Sequence, residues 1–388
     1  MMRQQEHILW LVVSTTLVML TLPGVALLYG GMVRKKNVLN TMGLVFLALV
    51  LASLEWLFWG EPMVFGSDGV GAGDSQGVRT SLALHRAMSG ALALALVTGT
   101  LVERVRFLFF LLFGLVWIGV VYGPVAHWLW GGGWLTNLGS LDFAGGAVIH
   151  LSAGVSALVA ALMIGPRKGY GRIEMIPNHL PFAVCGVGLM WVGWCGFSAG
   201  GALSSMNTVT SALVAIHVAA AASALTWTLA EWIQRDKPTA LGTVSGAVAG
   251  LVASSSAAGY VGPLAAMVIG IGAGGLCYMV VNYVKLILGY DDSLDVFGMH
   301  GVGGAWSMIA TGLFASTAVN PDGSDGLFNG YPYQLFAQAV AVLAVSAFAA
   351  GATFLVIKIL QMVMMPRVDE EAEIMGLDLA QHGEKGYS

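Results

Sequence analysis

The chain has 388 residues, of which 17 are Lys or Arg and 21 Asp or Glu, giving a formal net charge of −4. Charged residues make up 10% and hydrophobic residues 57%, with a mean hydropathy of +0.79, against roughly 25% charged residues in a soluble globule. This composition excludes a water-soluble enzyme, a disordered chain, a nucleic-acid binder and a disulfide scaffold. The three cysteines (Cys185, Cys195, Cys277) lie in apolar runs without paired spacing, so they imply no disulfide or metal framework.

Crossing a bilayer takes roughly 20 apolar residues in a helix. Eleven such segments are separated by short polar breaks, at about 8–32, 38–60, 82–102, 107–126, 144–165, 180–201, 209–233, 240–257, 263–287, 296–316 and 334–363. They are too long and continuous for the alternating strands of a barrel. The expected architecture is therefore an all-α polytopic membrane protein of eleven transmembrane helices. A membrane domain spans 1–364 and a tail 365–388. Within the domain, halves at about 8–165 and 180–316 are followed by a long last helix. The opening MMRQQEH is a weak basic region before a full-length span, not a signal peptide.

Basic residues set the orientation. Arg34, Lys35, Lys36, Arg104, Arg106, Arg167, Lys168, Arg172, Arg235, Lys237 and Lys285 follow odd-numbered spans, and Lys358, Arg367 and Lys385 lie at the end of the chain, leaving only Arg3, Arg79 and Arg86 for the opposite face. The expectation is an N-terminus outside and a C-terminus in the cytoplasm. Gly119/Gly123, Gly196/Gly200, Gly242/Gly246/Gly250 and Gly270/Gly274 have the spacing that lets helix backbones approach closely.

Ionisable residues within spans are costly and point to function. Asp142 and His150 lie around the start of the fifth span, and Asp295 and His300 at the start of the tenth; His217 is mid-span, and Glu55, His85 and Arg86 fall in spans two and three. If five spans form each half, the halves have opposite orientation and these Asp/His segments are counterparts at an inverted-repeat interface. Two buried imidazoles facing each other can share a proton and hydrogen-bond a small neutral solute. No Cys or carboxylate at ligand spacing joins them in a metal site. No nucleophile–base pair or phosphate loop appears either, so neither enzyme nor cofactor is expected.

Several motifs make the resemblance specific: PGVALLYGGMVRKKNVLN at 23–40, GPVAHWLWGGGWL at 123–135, DFAGGAVIHLSAG at 142–154, GWCGFSAGGAL at 193–203 and DVFGMHGVGG at 295–304. With the tail at 367–387, the chain resembles the ammonium transporter (Amt/Rh) family, on the Amt side, along nearly its whole length. The resemblance implies a homotrimer in the cell membrane with one conduction path per protomer. It implies ammonium or ammonia, and methylammonium, as substrate. Residue by residue, Trp130 resembles the vestibule tryptophan, Phe197 one of two stacked gate phenylalanines, and Asp142 the acidic organiser of the outer site. His150 and His300 resemble the twin pore histidines, and Trp194 a pore-wall residue. A trimeric PII-type signalling protein is implied as a partner at the cytoplasmic face, with Gly376, Asp378 and Tyr387 of the tail coupling subunits.

The physics suits this substrate. An aromatic site attracts a cation by roughly 0.5–2 kcal/mol. Dehydrating an ion at low dielectric costs on the order of 20 kcal/mol in the ideal limit and several in practice. Shedding a proton from ammonium near neutral pH costs roughly 3–4 kcal/mol, an escape closed to potassium.

Two departures stand out. A serine expected four residues after the gate phenylalanine is Gly201, and no Phe occurs from 80 to 100 to supply the second gate ring, which leaves Phe197 alone. The expected aromatic positions fall at His85 and Ser89, which share a helix face and are candidates to replace the lost groups. His85 could instead pair with Glu55, and Glu55 with Arg86. The remodelled entrance also fits an ammonium-binding sensor with little conduction, or a neutral gas channel nearer the Rh branch.

Overall fold

The computed structural model describes residues 2–66, 76–200 and 206–387. Among these residues the chain is helical without strands, apart from one isolated bridge between Val105 and Arg367. Among the described residues, nine helical stretches are long and apolar enough to cross a membrane. They are α1 (Ile8–Met32), α2 (Lys35–Phe65), α3 (Gln76–Leu101), α4 (Phe107–Asn137), α5 (Gly146–Ile164), α6 (Leu180–Ser198), α7 (Asn207–Arg235), α9 (Pro263–Leu288) and α11 (Pro332–Val363). Between them lie the shorter apolar α8 (Ala240–Ser254) and α10, residues 297–314. Two short tail helices follow, α12 (Glu370–Met375) and α13 (Leu377–His382). Each apolar segment of the sequence thus lies mainly in helix among the described residues, with α3 starting at Gln76 rather than about 82 and α4 running to Asn137 rather than about 126.

Irregularities follow from local chemistry. A proline removes one backbone donor and crowds the preceding turn. α1 breaks at Leu20, just before Pro23. The π-turns Trp56–Gly60 in α2 and Ile118–Tyr122 in α4 precede Pro62 and Pro124. Thr239 caps α8, its hydroxyl accepting the Gly242 amide at 2.9 Å.

Small residues fix the closest approaches. A Cβ on Gly250 of α8 would lie 2.4 Å, and one on Gly270 of α9 2.2 Å, from the same carbonyl oxygen, that of Ala219. Thus α7 is gripped from two sides at one residue, by two of the glycine pairs expected to pack. Large apolar side chains such as Leu57, Ile233, Ile287 and Met362 point outward and are at least three-quarters exposed. A surface of this kind suits hydrocarbon rather than water.

The face that carries the tail is tied by buried charge. Glu103 accepts Arg34 Nε at 3.0 Å, Asn37 Nδ2 at 2.9 Å and an Arg167 Nη at 2.6 Å. Asp291 accepts Arg104 at 2.8 Å and Arg167 at 2.9 Å. Burial pushes both carboxyls up, but Arg167 and Arg34 around Glu103, and Arg167 and Arg104 around Asp291, more than reverse this and hold them below the usual range.

Candidate functional site

The site begins where α5 and α10 cross. His150 sits in the π-turn Gly146–Leu151 that opens α5, and His300 in the π-turn Phe297–Gly301 that opens α10. Such turns recur at functional sites because they re-aim side chains without breaking the helix. The two Nδ1 atoms are 3.3 Å apart and the rings 5.2 Å centroid to centroid. His150 also stacks on Trp194, at 4.9 Å and 12°, and Trp194 Nε1 donates to Ser255 Oγ at 3.2 Å. None of the three rings is more than 4% exposed.

A neutral imidazole carries one donor and one acceptor. Two neutral rings bonded through Nδ1 therefore leave one bare Nε2 and one Nε2–H. Together they offer an acceptor and a donor to a solute that has both.

Asp142 caps the start of α5. Its Oδ1 accepts the Gly146 amide at 2.7 Å and Ser256 Oγ at 2.9 Å, and its Oδ2 accepts Ala147 and Val148 amides at 2.9 and 3.0 Å. Burial pushes its carboxyl above the usual range, opposed by these same bonds. Its backbone carbonyl accepts Trp130 Nε1 at 2.7 Å, which fixes the indole.

The structure brings Trp130, Asp142, Phe197, His85 and Ser89 to one cavity of about 440 Å³. Gly201 lies outside the described residues. His85 stacks face to face with Phe197, at 5.5 Å and 10°, with Nδ1 3.3 Å from the Thr15 hydroxyl. The expectation of a lone gate phenylalanine is thus amended: a second ring is present, and it is an imidazole. On the tail side, a small cavity of about 40 Å³ is lined by Tyr29, Trp227 and His300. Two groups of stacked rings lie between the cavities: His85 on Phe197, and Trp194, three residues earlier on α6, on His150, which in turn meets His300.

Three sequence expectations need correction. Arg86 does not pair with Glu55 but with Glu61 at 2.6 Å, its guanidinium lying 3.4 Å over the Phe65 ring. His85 bonds Thr15, not Glu55, whose two carboxylate oxygens find no hydrogen-bond partner among the described residues. The counterpart of Asp142 is Asp292 rather than Asp295. Asp292 Oδ2 accepts the Phe297 amide at 2.7 Å at the start of α10, whereas Asp295 is paired with Lys285 at 2.6 Å. The signal was available as a matched spacing, with Asp142 and Asp292 each eight residues before one of the paired histidines.

The tail residues dock on their own chain. Asp378 accepts the amides of Leu39 at 3.1 Å and Asn40 at 2.8 Å at the start of α2. Gly376 has φ +106°, and a Cβ there would meet Lys36. The Tyr387 hydroxyl accepts Asn178 Nδ2 at 3.1 Å, and Lys35 Nζ lies 5.4 Å from its ring.

Comparison with known proteins gives the family of the chain. A model of the Ammonium Transporter Family matches residues 9–387. An ammonium transporter of Bacillus subtilis (strain 168) is 46% identical over 388 residues, covering 96% of each chain. Ammonium transporter Amt1 of Archaeoglobus fulgidus is 39% identical, covering 98% of this chain and 99% of its own. The crystal structure of Candida albicans Mep2 superposes with a TM-score of 0.88 at 34% identity, covering 98% of this chain and 90% of that one. A structure titled Sensor Amt Protein gives a TM-score of 0.90 at 26% identity, covering 98% and 99%.

Proposed function

Because the chain belongs to the ammonium transporter family, we propose that it takes up ammonium at the cavity of Trp130, Asp142 and Phe197, strips one proton there, and conducts ammonia along His150 and His300. The relatives are named as transporters, which indicates transport rather than catalysis. The chain is a multi-pass membrane protein.

The observation that carries the mechanism is the buried imidazole pair, 3.3 Å apart between two cavities. The entrance is ringed by aromatic faces that attract a cation. Beyond it, Trp194, His150 and His300 are buried, and an ion there would lose its hydration. Ammonium alone among similar monovalent cations can part with its charge as a proton, which in this reading passes separately along the hydrogen-bonded imidazole pair, so that transport carries current. The neutral remainder then meets one acceptor and one donor on the two Nε2 atoms. Asp142 shapes the entrance through Trp130 and the first turn of α5 rather than by contact, since its oxygens are occupied.

In this reading eleven helices span the cell membrane as two inverted five-helix repeats plus a last helix. The N-terminus is outside and the tail cytoplasmic. Three copies assemble as a homotrimer, and a PII-type protein docks over the tail face. The reciprocal placement of His150 and His300 in matching π-turns supports the repeat. Methylammonium is a second substrate.

Solid-supported-membrane electrophysiology comparing ammonium with potassium tests the mechanism. Wild type carries ammonium current and no potassium current, while His150→Ala and His300→Ala lose the current or its selectivity. Unchanged rate and selectivity in both variants would refute the role of the pair. A second reading, an ammonium sensor with little conduction, is favoured by the imidazole of His85 stacked on Phe197 where two phenylalanines were expected. Saturable ammonium binding without current in the same assay would select it.

A further inference from the structure

The charges around the entrance cavity are unevenly spent. Among the described residues, three formally charged ones line it: Arg86, Asp142 and Asp322. An ionised carboxylate has about four acceptor sites. Asp142 has filled them with three backbone amides and the Ser256 hydroxyl, and it is only 6% exposed. Arg86 is closed off on two sides: Glu61 holds its guanidinium at 2.6 Å, and the Phe65 ring lies 3.4 Å beneath it. Glu61 is itself anchored by Trp56 Nε1 at 2.7 Å. The arginine charge is thus neutralised before it reaches the cavity.

Asp322 differs from both. It is solvent-exposed, its backbone amide donates to Asn320 Oδ1 at 3.1 Å, and its carboxylate has no partner among the described residues. It belongs to the loop between α10 and α11 and faces the same space as Trp130 and Phe197. A single unpaired charge beside low-dielectric walls concentrates counter-ions.

We infer that Asp322 is the residue that draws the cation into this entrance, and that it can do so because Glu61 cancels Arg86. The inference rests on the transport reading above, in which the entrance receives ammonium as a cation. It also accounts for how an entrance that carries an arginine can still accept positive charge. Asp322 here is a specificity-determining residue for cation over neutral solute. It contributes field and no proton transfer.

The test is ammonium-evoked current in proteoliposomes of wild type, Asp322→Asn, Asp322→Glu and Glu61→Gln, at low and high ionic strength. At low salt Asp322→Asn raises the half-saturating ammonium concentration about fivefold, the effect of one unit charge a few ångströms away in water. Its maximal current stays within about twofold, because the field acts on encounter rather than on passage. High salt closes the gap by screening. Asp322→Glu keeps the wild-type value, and Glu61→Gln shifts it in the same direction as Asp322→Asn by uncovering Arg86.

A second measurement reads the field without transport: quenching of tryptophan fluorescence by caesium and by iodide in detergent-purified protein. Asp322→Asn weakens caesium quenching and strengthens iodide quenching. Half-saturation and caesium quenching that both match wild type at low salt overturn the inference. Asp322-dependent caesium quenching in a wild type that carries no ammonium current instead overturns the transport reading and leaves the recruiting charge in place.

Discussion

Gly154 of α5 rests on the backbone of Gly301 in α10: a Cβ on Gly154 would lie 2.1 Å from the Gly301 nitrogen. The contact is reciprocated, since a Cβ on Gly304 would lie 2.5 Å from the Gly146 carbonyl oxygen and 2.7 Å from the Leu151 nitrogen. Each glycine follows its pore histidine by four residues, so each helix presses its histidine turn against the other's. Gly154→Ala should therefore force the helices apart and destabilise the protein by about 1–3 kcal/mol. Because it also lengthens the 3.3 Å imidazole contact, ammonium current should fall more than stability does. Thermal unfolding in detergent together with electrophysiology reads both, and unchanged current in a folded Gly154→Ala protein contradicts the argument.

Acid should loosen the tail face first. Glu103 and Asp291 titrate below their usual range in the folded protein, because the arginines around them outweigh the effect of burial. A carboxylate whose folded pKa is depressed stabilises fully above its unfolded pKa, about 4, and loses that contribution as pH falls through the folded value. The unfolding temperature should thus hold steady above about pH 5 and drop below about pH 4. Glu103→Gln, which leaves Arg34 and Arg167 without their shared anion, should lose about 3–5 kcal/mol at neutral pH and show a shallower acid decline. An acid profile as steep as wild type in that variant would point to other carboxylates.

Glu55 makes the opposite kind of prediction. It is 2% exposed and neither carboxylate oxygen has a partner among the described residues. Removing an unsatisfied buried polar group in favour of an apolar one of similar length relieves a desolvation penalty of about 1–3 kcal/mol. Glu55→Leu should raise the unfolding temperature, as calorimetry can establish. A lower one would mean that the carboxyl is paired in the assembled protein.

Among the bonds that hold the tail are those of Asp378, which caps α2 from more than three hundred residues away in sequence. Asp378→Ala removes an N-terminal cap and should cost about 0.5–2 kcal/mol. Amide hydrogen exchange at Leu39 and Asn40 should accelerate, and trypsin should cut more readily at Arg367. Protection equal to wild type at all three would place the anchor elsewhere in the tail.

Much of the site was legible along the chain. His150, His300, Asp142, Trp130, Phe197 and Trp194 stand in motifs whose spacing singles them out, and in the fold Trp130, Asp142 and Phe197 line one cavity while His150 touches His300 and Trp194. The partners of polar side chains were not legible. Arg86 found Glu61 rather than Glu55 because the π-turn Trp56–Gly60 shifts the residues after it around the helix, and regular periodicity does not register an inserted residue. Asp295 looked like the counterpart of Asp142 because each is an aspartate followed by glycine and then histidine. The backbone bond to Phe297 identifies Asp292 as the cap, in agreement with its matched eight-residue spacing to His300.

Sequence by itself determined that this chain folds as apolar helices, and which polar residues each helix carries, because hydrophobic length and residue identity are local properties. Tertiary structure decided which charges cancel and which remain. Arg86 is silenced by Glu61, Asp142 is saturated by amides of its own helix and a serine more than a hundred residues away, and Asp322 is left open to the entrance. Electrostatic pairing depends on distance through space, and helix crossings such as Gly154 on Gly301 set those distances to within an ångström where the order of residues does not.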